Sequence, residues 1–232
     1  RLNFATHSMA HHLDLEEQEQ LDRLKHFWNA WGTLISSVLL VVFGGMAAWN
    51  GYQYWQSRQA FQASALMDAV DAAIAAKDPA RMEQAFGDLR ERYAGTMQAG
   101  LAGLQLSKAL ADAGNLDGAK AALTWVADKA SDPGHKALAR LRLASVLAQQ
   151  QAYDEALKQL SSGIPPEFDA AAADRRGDIY ALQGKKAEAI EEYNKAYRRF
   201  DEGQEYRRIV EVKLNALGVE PAAVAPAQGG AK

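Results

Sequence analysis

The chain has 232 residues, room for one ordinary domain and an additional segment, and its formal net charge of −3 offers no basic stripe for nucleic acid. It contains no cysteine, which excludes disulfides, thiolate metal sites, thiol nucleophiles and lipid attachment through an amino-terminal cysteine.

Arg1 to Ser8 precede Met9, which is read as the natural start, and are set aside as an upstream extension. Between Lys25 and Arg58 no side chain is charged, and from Thr33 to Trp49 the run reads TLISSVLLVVFGGMAAW. With its flanking aromatics this stretch reaches the roughly 20 apolar residues that a bilayer core requires. Phe27, Trp28 and Trp31 stand before it and Trp49, Tyr52, Tyr54 and Trp55 after it, as two belts at headgroup level. A buried core helix would carry charge on some face. A cleaved signal peptide would not have a long acidic leader, nor an aromatic-rich helix continuing past small residues such as Gly45 and Ala48. The expectation is an uncleaved signal anchor. Arg23 and Lys25 before the span outnumber Arg58 after it, which places the amino terminus in the cytoplasm.

Beyond the span, RQAFQASALMDAVDAAIAAK is alanine-rich and extends the membrane helix. Asp78 and Pro79 mark the start of another helix, carrying Met82, Ala85, Phe86, Leu89 and Tyr93.

From Leu101 onward the sequence repeats. Ser107, Ala144 and Gly177 are each followed twelve positions later by an alanine: Ala119, Ala156 and Ala189. Leu110, Leu147 and Tyr180 lie three residues after the small position, and Leu123, Leu160 and Tyr193 four after the alanine. Gly114, Gln151 and Gly184 fall between the halves as turn residues, so each unit reads as a helix, a turn and a second helix. Small side chains belong where the paired helices approach most closely. The pattern resembles the tetratricopeptide repeat, whose period is about 34 residues. GDIYALQGKKAEAIEEYNKA is the nearest match. The earlier two units lack an early aromatic, and the second has Gln151 in place of the turn glycine. Ala73, Ala85 and Leu89 stand at matching offsets for a degenerate preceding unit, and the charged helix from Tyr206 to Leu217 is expected to cap the array.

The expected organisation is all-α: a cytoplasmic segment over residues 1–27, a transmembrane signal anchor over 28–55, a tetratricopeptide-like helical-hairpin solenoid over 56–217 and a disordered tail over 218–232.

EEQEQLDRLKHFWNAWG before the span and YQYWQSRQAFQAS after it, joined to an alanine-rich repeat domain, are similar to the YfgM family, the ancillary subunit of the SecYEG translocon in Gram-negative bacteria. The likeness runs from Met9 to about Leu217. It implies an inner-membrane protein whose carboxy-terminal domain is periplasmic. Its implied partners are the SecYEG translocon, periplasmic chaperones and newly exported proteins.

No enzyme is expected. Four of the five histidines, His7, His11, His12 and His26, lie before or at the membrane entry, and His135 is read as a solvated loop residue beside Asp132. His11 and His12 lack further ligands at metal spacing, so no metal is assigned. Gly44 and Gly45 do not complete a helix-packing motif, no glycine-rich phosphate loop follows a strand, and no cofactor is expected. The function expected instead is protein binding. In this repeat the first helices line the concave face, which assigns a groove to Leu101, Leu104 and Lys108, then Leu138, Leu141 and Ser145, then Asp174 and Asp178. Apolar early and acidic late, it would suit an extended apolar segment with a basic flank, unless those leucines pack into the array. A membrane-anchored scaffold or chaperone is the first expectation; the second is a tetratricopeptide adaptor for self-assembly or envelope machinery.

Overall fold

The computed structural model describes residues 15–201 and 203–221, with side chains from Glu19 onward. The upstream extension, Met9, His7, His11, His12 and the tail beyond Pro221 lie outside the described residues. Every regular element among the described residues is helical: α1 (Leu15–Ala75), α2 (Pro79–Tyr93), α3 (Met97–Asp112), α4 (Leu116–Lys129), α5 (Pro133–Gln149), α6 (Tyr153–Gln159), a 3-10 turn (Pro166–Phe168), α7 (Asp169–Leu182), α8 (Lys186–Arg199) and α9 (Glu205–Ala216).

The chain divides into two compact units, Arg1–Trp55 and Gln56–Lys232. In the first, α1 contains the one helix among the described residues that is long and apolar enough to cross a membrane. Its apolar window is almost wholly exposed, which a soluble core helix would not be. Within it, the Trp28 indole lies over Gly32, where an added Cβ would come to 3.2 Å of the ring.

In the second unit, helix starts are written locally. Asp78, Thr96, Asn115 and Asp132 accept from the backbone N–H three residues on, and Pro79 and Pro133 occupy first-turn positions where no N–H is needed. Helix ends in the hairpins share one geometry. The residues at Gly114, Gln151 and Gly184 have φ of +81, +61 and +72°. The next N–H then reaches back to the carbonyls of Leu110, Leu147 and Tyr180 at 2.8, 2.9 and 2.9 Å. That closure satisfies carbonyls the helix end would leave open. Gln151 therefore performs the turn glycine's role without being glycine.

The same closure recurs at two further helix ends. Lys77 has φ +52°, and Asp78 N–H reaches Ala73 O at 3.2 Å; Gly218 has φ +77°, and Val219 N–H reaches Leu214 O at 3.1 Å. The degenerate first unit therefore exists, but its register corrects the expected one by three residues. Val70, Met82 and Phe86, all buried, occupy the positions expected for Ala73, Ala85 and Leu89, and Ala73 stands where later units have leucine or tyrosine. The periodicity misled because this unit fills the close-approach positions with larger side chains.

Ser107, Ala144 and Gly177, with Ala119, Ala156 and Ala189, are all buried where paired helices meet. A Cβ on Gly177 would come within 2.5 Å of the Tyr193 ring, so glycine is what lets α7 and α8 approach. Three core clusters follow one another along the array: α1–α4 around Phe86 and Leu89, α3–α7 around Leu123 and Leu147, and α7–α9 around Tyr193 and Val210. Each buried Leu or Phe contributes roughly 1.5–3 kcal/mol.

The helix α9 is the last helix among the described residues. At the register where earlier first helices have Leu104, Leu141 and Asp174 it carries exposed Arg208, and where they have Ser107, Ala144 and Gly177 it carries Glu211. Its buried Val210 and Leu214 pack in the third core cluster, against α7 and α8.

Candidate functional site

With the register fixed by the turns, the surface of the first helices α3, α5 and α7 can be read position by position. The residues two before and one after the small position are Gln105 and Lys108, Arg142 and Ser145, and Arg175 and Asp178, all partly or fully exposed. Five after it come Asp112, Gln149 and Leu182, exposed in each case. This spacing of three and four residues keeps them on one helical face. Between α5 and α7 the face is indented by an open crevice of about 750 Å³, lined by Ser145, Gln149, Tyr153, Arg175, Asp178 and Leu182 among others.

Of the residues assigned to a groove from sequence, Leu101 and Lys108 are exposed, and Leu138, Ser145 and Asp178 are partly exposed on this face. Leu104, Leu141 and Asp174 correct the assignment. They are 3, 7 and 2% exposed, with both leucines in the central core. They lie one residue away from the solvent stripe, a rotation of about 100° about the helix axis. His135 also departs from expectation: it lies in the first turn of α5, half-buried, and its Nδ1 is where a Cβ on Gly100 would come to 2.8 Å. Arg142, Arg175 and Leu182 were missed, as were Ile209 and Val212 at the matching positions of α9. Continuing the register through the Gly218 turn would have found the last two.

The acidic residues are tied inward. Lys213 of α9 places Nζ 2.7 Å from Oδ1 of both Asp174 and Asp178. The Tyr193 hydroxyl donates to Asp178 Oδ1 at 2.8 Å, and Arg175 Nη1 approaches Asp178 Oδ2 at 3.2 Å. Burial pushes the Asp174 carboxyl above its ordinary value, against the opposing pull of Lys213. Burial and the hydrogen bond to Asp178 push the Tyr193 phenol up. Behind this network Glu192 is bonded by Arg176 Nε at 2.7 Å and Lys195 Nζ at 2.8 Å. Burial alone would raise Glu192, but those two donors outweigh it and hold the carboxyl below its ordinary value. Arg176 also donates to Leu160 O at 3.0 Å, joining adjacent units. Arg142 Nη1 donates to Leu104 O at 3.1 Å, and no carboxylate pairs with it among the described residues.

Among the described residues no group of three or more His, Asp or Glu side chains could hold a metal ion. Asp178 and Arg142 are engaged between helices, whereas Lys108 pairs with Asp112 at 2.7 Å within α3.

The description "Tetratricopeptide repeat-like domain" matches residues 25–219. The chain is 32% identical to a protein of Neisseria gonorrhoeae named "Ancillary SecYEG translocon subunit", over 90% of this chain and 100% of that one. Proteins of the same name from Aggregatibacter actinomycetemcomitans and Escherichia coli are 28% and 26% identical, each over 88% of this chain and 98% and 97% of their own lengths.

Proposed function

Because the chain belongs to the tetratricopeptide repeat-like family of the ancillary SecYEG translocon subunits, we propose that it is an inner-membrane scaffold that holds newly exported polypeptides beside the translocon. The observation that carries this reading is the end-to-end likeness to a relative named for the translocon, spanning both the apolar helix and the repeat array. The helix α1 acts as an uncleaved signal anchor, and the excess of Arg23 and Lys25 over Arg58 orients it with the amino terminus in the cytoplasm and the array in the periplasm. Its function is chaperone-like binding: the first-helix face engages exported segments and passes them to periplasmic chaperones.

Anchoring gives weak binding its effect. A tether raises the local concentration of a low-affinity surface at its target to the millimolar range, so modest contacts suffice and release stays fast.

The test is crosslinking in cells from a photoreactive residue at Ser145 and, separately, at Lys108. Adducts with translocon subunits and exported chains are expected. Adducts confined to further copies of this chain or to wall-building proteins would instead support an adaptor for self-assembly or envelope machinery. Reporter fusions after Gly218 test the orientation: activity on the cytoplasmic side would overturn it.

A further inference from the structure

The turn register gives each first helix a side that faces the hairpin before it. Residues nine, five and one before the small position and two after it share one stripe of the helix. In α5 these are His135, Ala139, Leu143 and Val146. The His135 ring lies against Gly100 of α3, and the other three are buried in the cluster that holds Leu123 and Val126 of α4. In α3, Ala102 and Leu106 are buried in the cluster that holds Phe86 and Leu89 of α2. Arg176 of α7 donates to Leu160 O of the hairpin before it at 3.0 Å, and Lys213 of α9 reaches back to Asp174. Five before the small position stands the same residue type in four first helices: Ala65, Ala102, Ala139 and Ala172. The last three are 0, 0 and 1% exposed.

In α1, where Val70 takes the small position, the stripe reads Phe61, Ala65, Ala69 and Ala72, and all four are exposed, Phe61 at 81%. No hairpin precedes α1 among the described residues to cover them. An array end that stays in water needs polar side chains on this side. Here none of the four is polar. Exposed Asp68 and Asp71 stand to one side of the stripe, toward the first-helix face.

We propose that Phe61, Ala65, Ala69 and Ala72 seat an amphipathic α-helix of a partner protein, which stacks on α1 as α2 stacks on α3 and α4 on α5. The interface is the array's own hairpin contact, continued by one helix from outside the chain. The helices that fill the equivalent seats present Phe86 and Leu89, or Leu123 and Val126, three residues apart. The partner helix carries the same chemistry, an uncharged stripe at spacings of three and four. Its side chains are leucine- or phenylalanine-sized, because alanines on one helix leave room for large residues on the other. From Phe61 to Ala72 is about three turns, which sets its minimum length.

The test uses the full chain in lipid nanodiscs. The probe is a fluorescein-labelled, lactam-bridged helical peptide with the sequence of α2, Pro79 to Tyr93, since α2 fills the equivalent seat on α3. Saturable binding is expected. Phe61→Ser should weaken it about tenfold, and Ala69→Gln, whose longer side chain fills the seat, at least as much. Both positions are exposed, so the unfolding midpoint should not move. A probe with serine in place of Phe86 and Leu89 should not bind. In cells, a photoreactive residue at exposed Ala76, next along the stripe, should give an adduct with a different protein that is lost on Phe61→Ser.

Probe binding indifferent to Phe61→Ser and Ala69→Gln would show the peptide taking α2's own place, and would overturn the inference. So would the absence of probe binding, or adducts confined to further copies of this chain. The seat is separate from the first-helix face, so each of these outcomes leaves the polypeptide-holding function standing.

Discussion

The ammonium of Lys213 lies 2.7 Å from Oδ1 of Asp174, a carboxylate only 2% exposed, across 39 residues of sequence and from the cap helix to the last complete hairpin. A charge taken that far from water is tolerable only while its partner stays. Lys213→Met should therefore lower stability by about 3 kcal/mol, measured by urea unfolding, and should speed proteolysis within α9. Adding Asp174→Asn should recover most of the loss. If the single variant costs nothing, the cap is held by Val210 and Leu214 alone.

The buried carboxylates give opposite slopes with pH. The Glu192 carboxyl titrates below its ordinary value of 4.5 in the folded chain, so it contributes stability that is present above 4.5 and lost as pH falls through the lowered value. The Asp174 carboxyl titrates above 3.8 when folded, so its contribution is greatest when protonated and declines as pH rises from 3.8 through the raised value. Urea unfolding between about pH 3 and pH 7 should show Glu192→Gln flattening the acid-side loss of stability, and Asp174→Asn steepening it. Identical profiles for both variants and the parent chain would contradict the network.

Glycines should separate by what lies beside them. Gly177→Ala brings a methyl onto the Tyr193 ring and Gly103→Ala onto Val126, and each should cost about 1–3 kcal/mol. Gly87→Ala in α2 meets nothing within 4 Å and should raise stability by about 0.5–1 kcal/mol. Thermal midpoints of the three variants check this directly.

The left-handed turn at Gln151 is a cost that the hairpins turning at Gly114 and Gly184 avoid with glycine. Gln151→Gly should gain about 0.5–1 kcal/mol, and Gly184→Gln should lose a similar amount. Equal midpoints would mean that the Gln151 side chain supplies a compensating contact.

The repeat was legible because close approach of two helices demands a small residue and repeats that demand once per hairpin, at Ser107, Ala144 and Gly177. Its beginning was not, because Val70 and Met82 meet the same geometry with larger side chains, and only the Lys77 turn reveals the frame. The face was half legible. Lys108, Ser145 and Asp178 share a register that spacing alone provides, whereas Leu104 and Leu141 differ from it by one residue, and leucine is equally at home in a core or a groove. Arg142 could not be singled out, since its bond to Leu104 O and its lack of an acidic partner among the described residues depend on residues far away in sequence. Ile209 and Val212 were obscured by the charges around them, which made α9 read as a charged cap.

Arg208 and Glu211 also bear on how these molecules meet one another. Helical-hairpin stacks can lengthen into fibres by adding one molecule's first hairpin onto another's last. Here the terminal surface would have to bury a guanidinium and a carboxylate without the small side chains that let helices touch. Among the described residues, α9 therefore offers a further hairpin two charged side chains where the earlier first helices offer leucine and small residues.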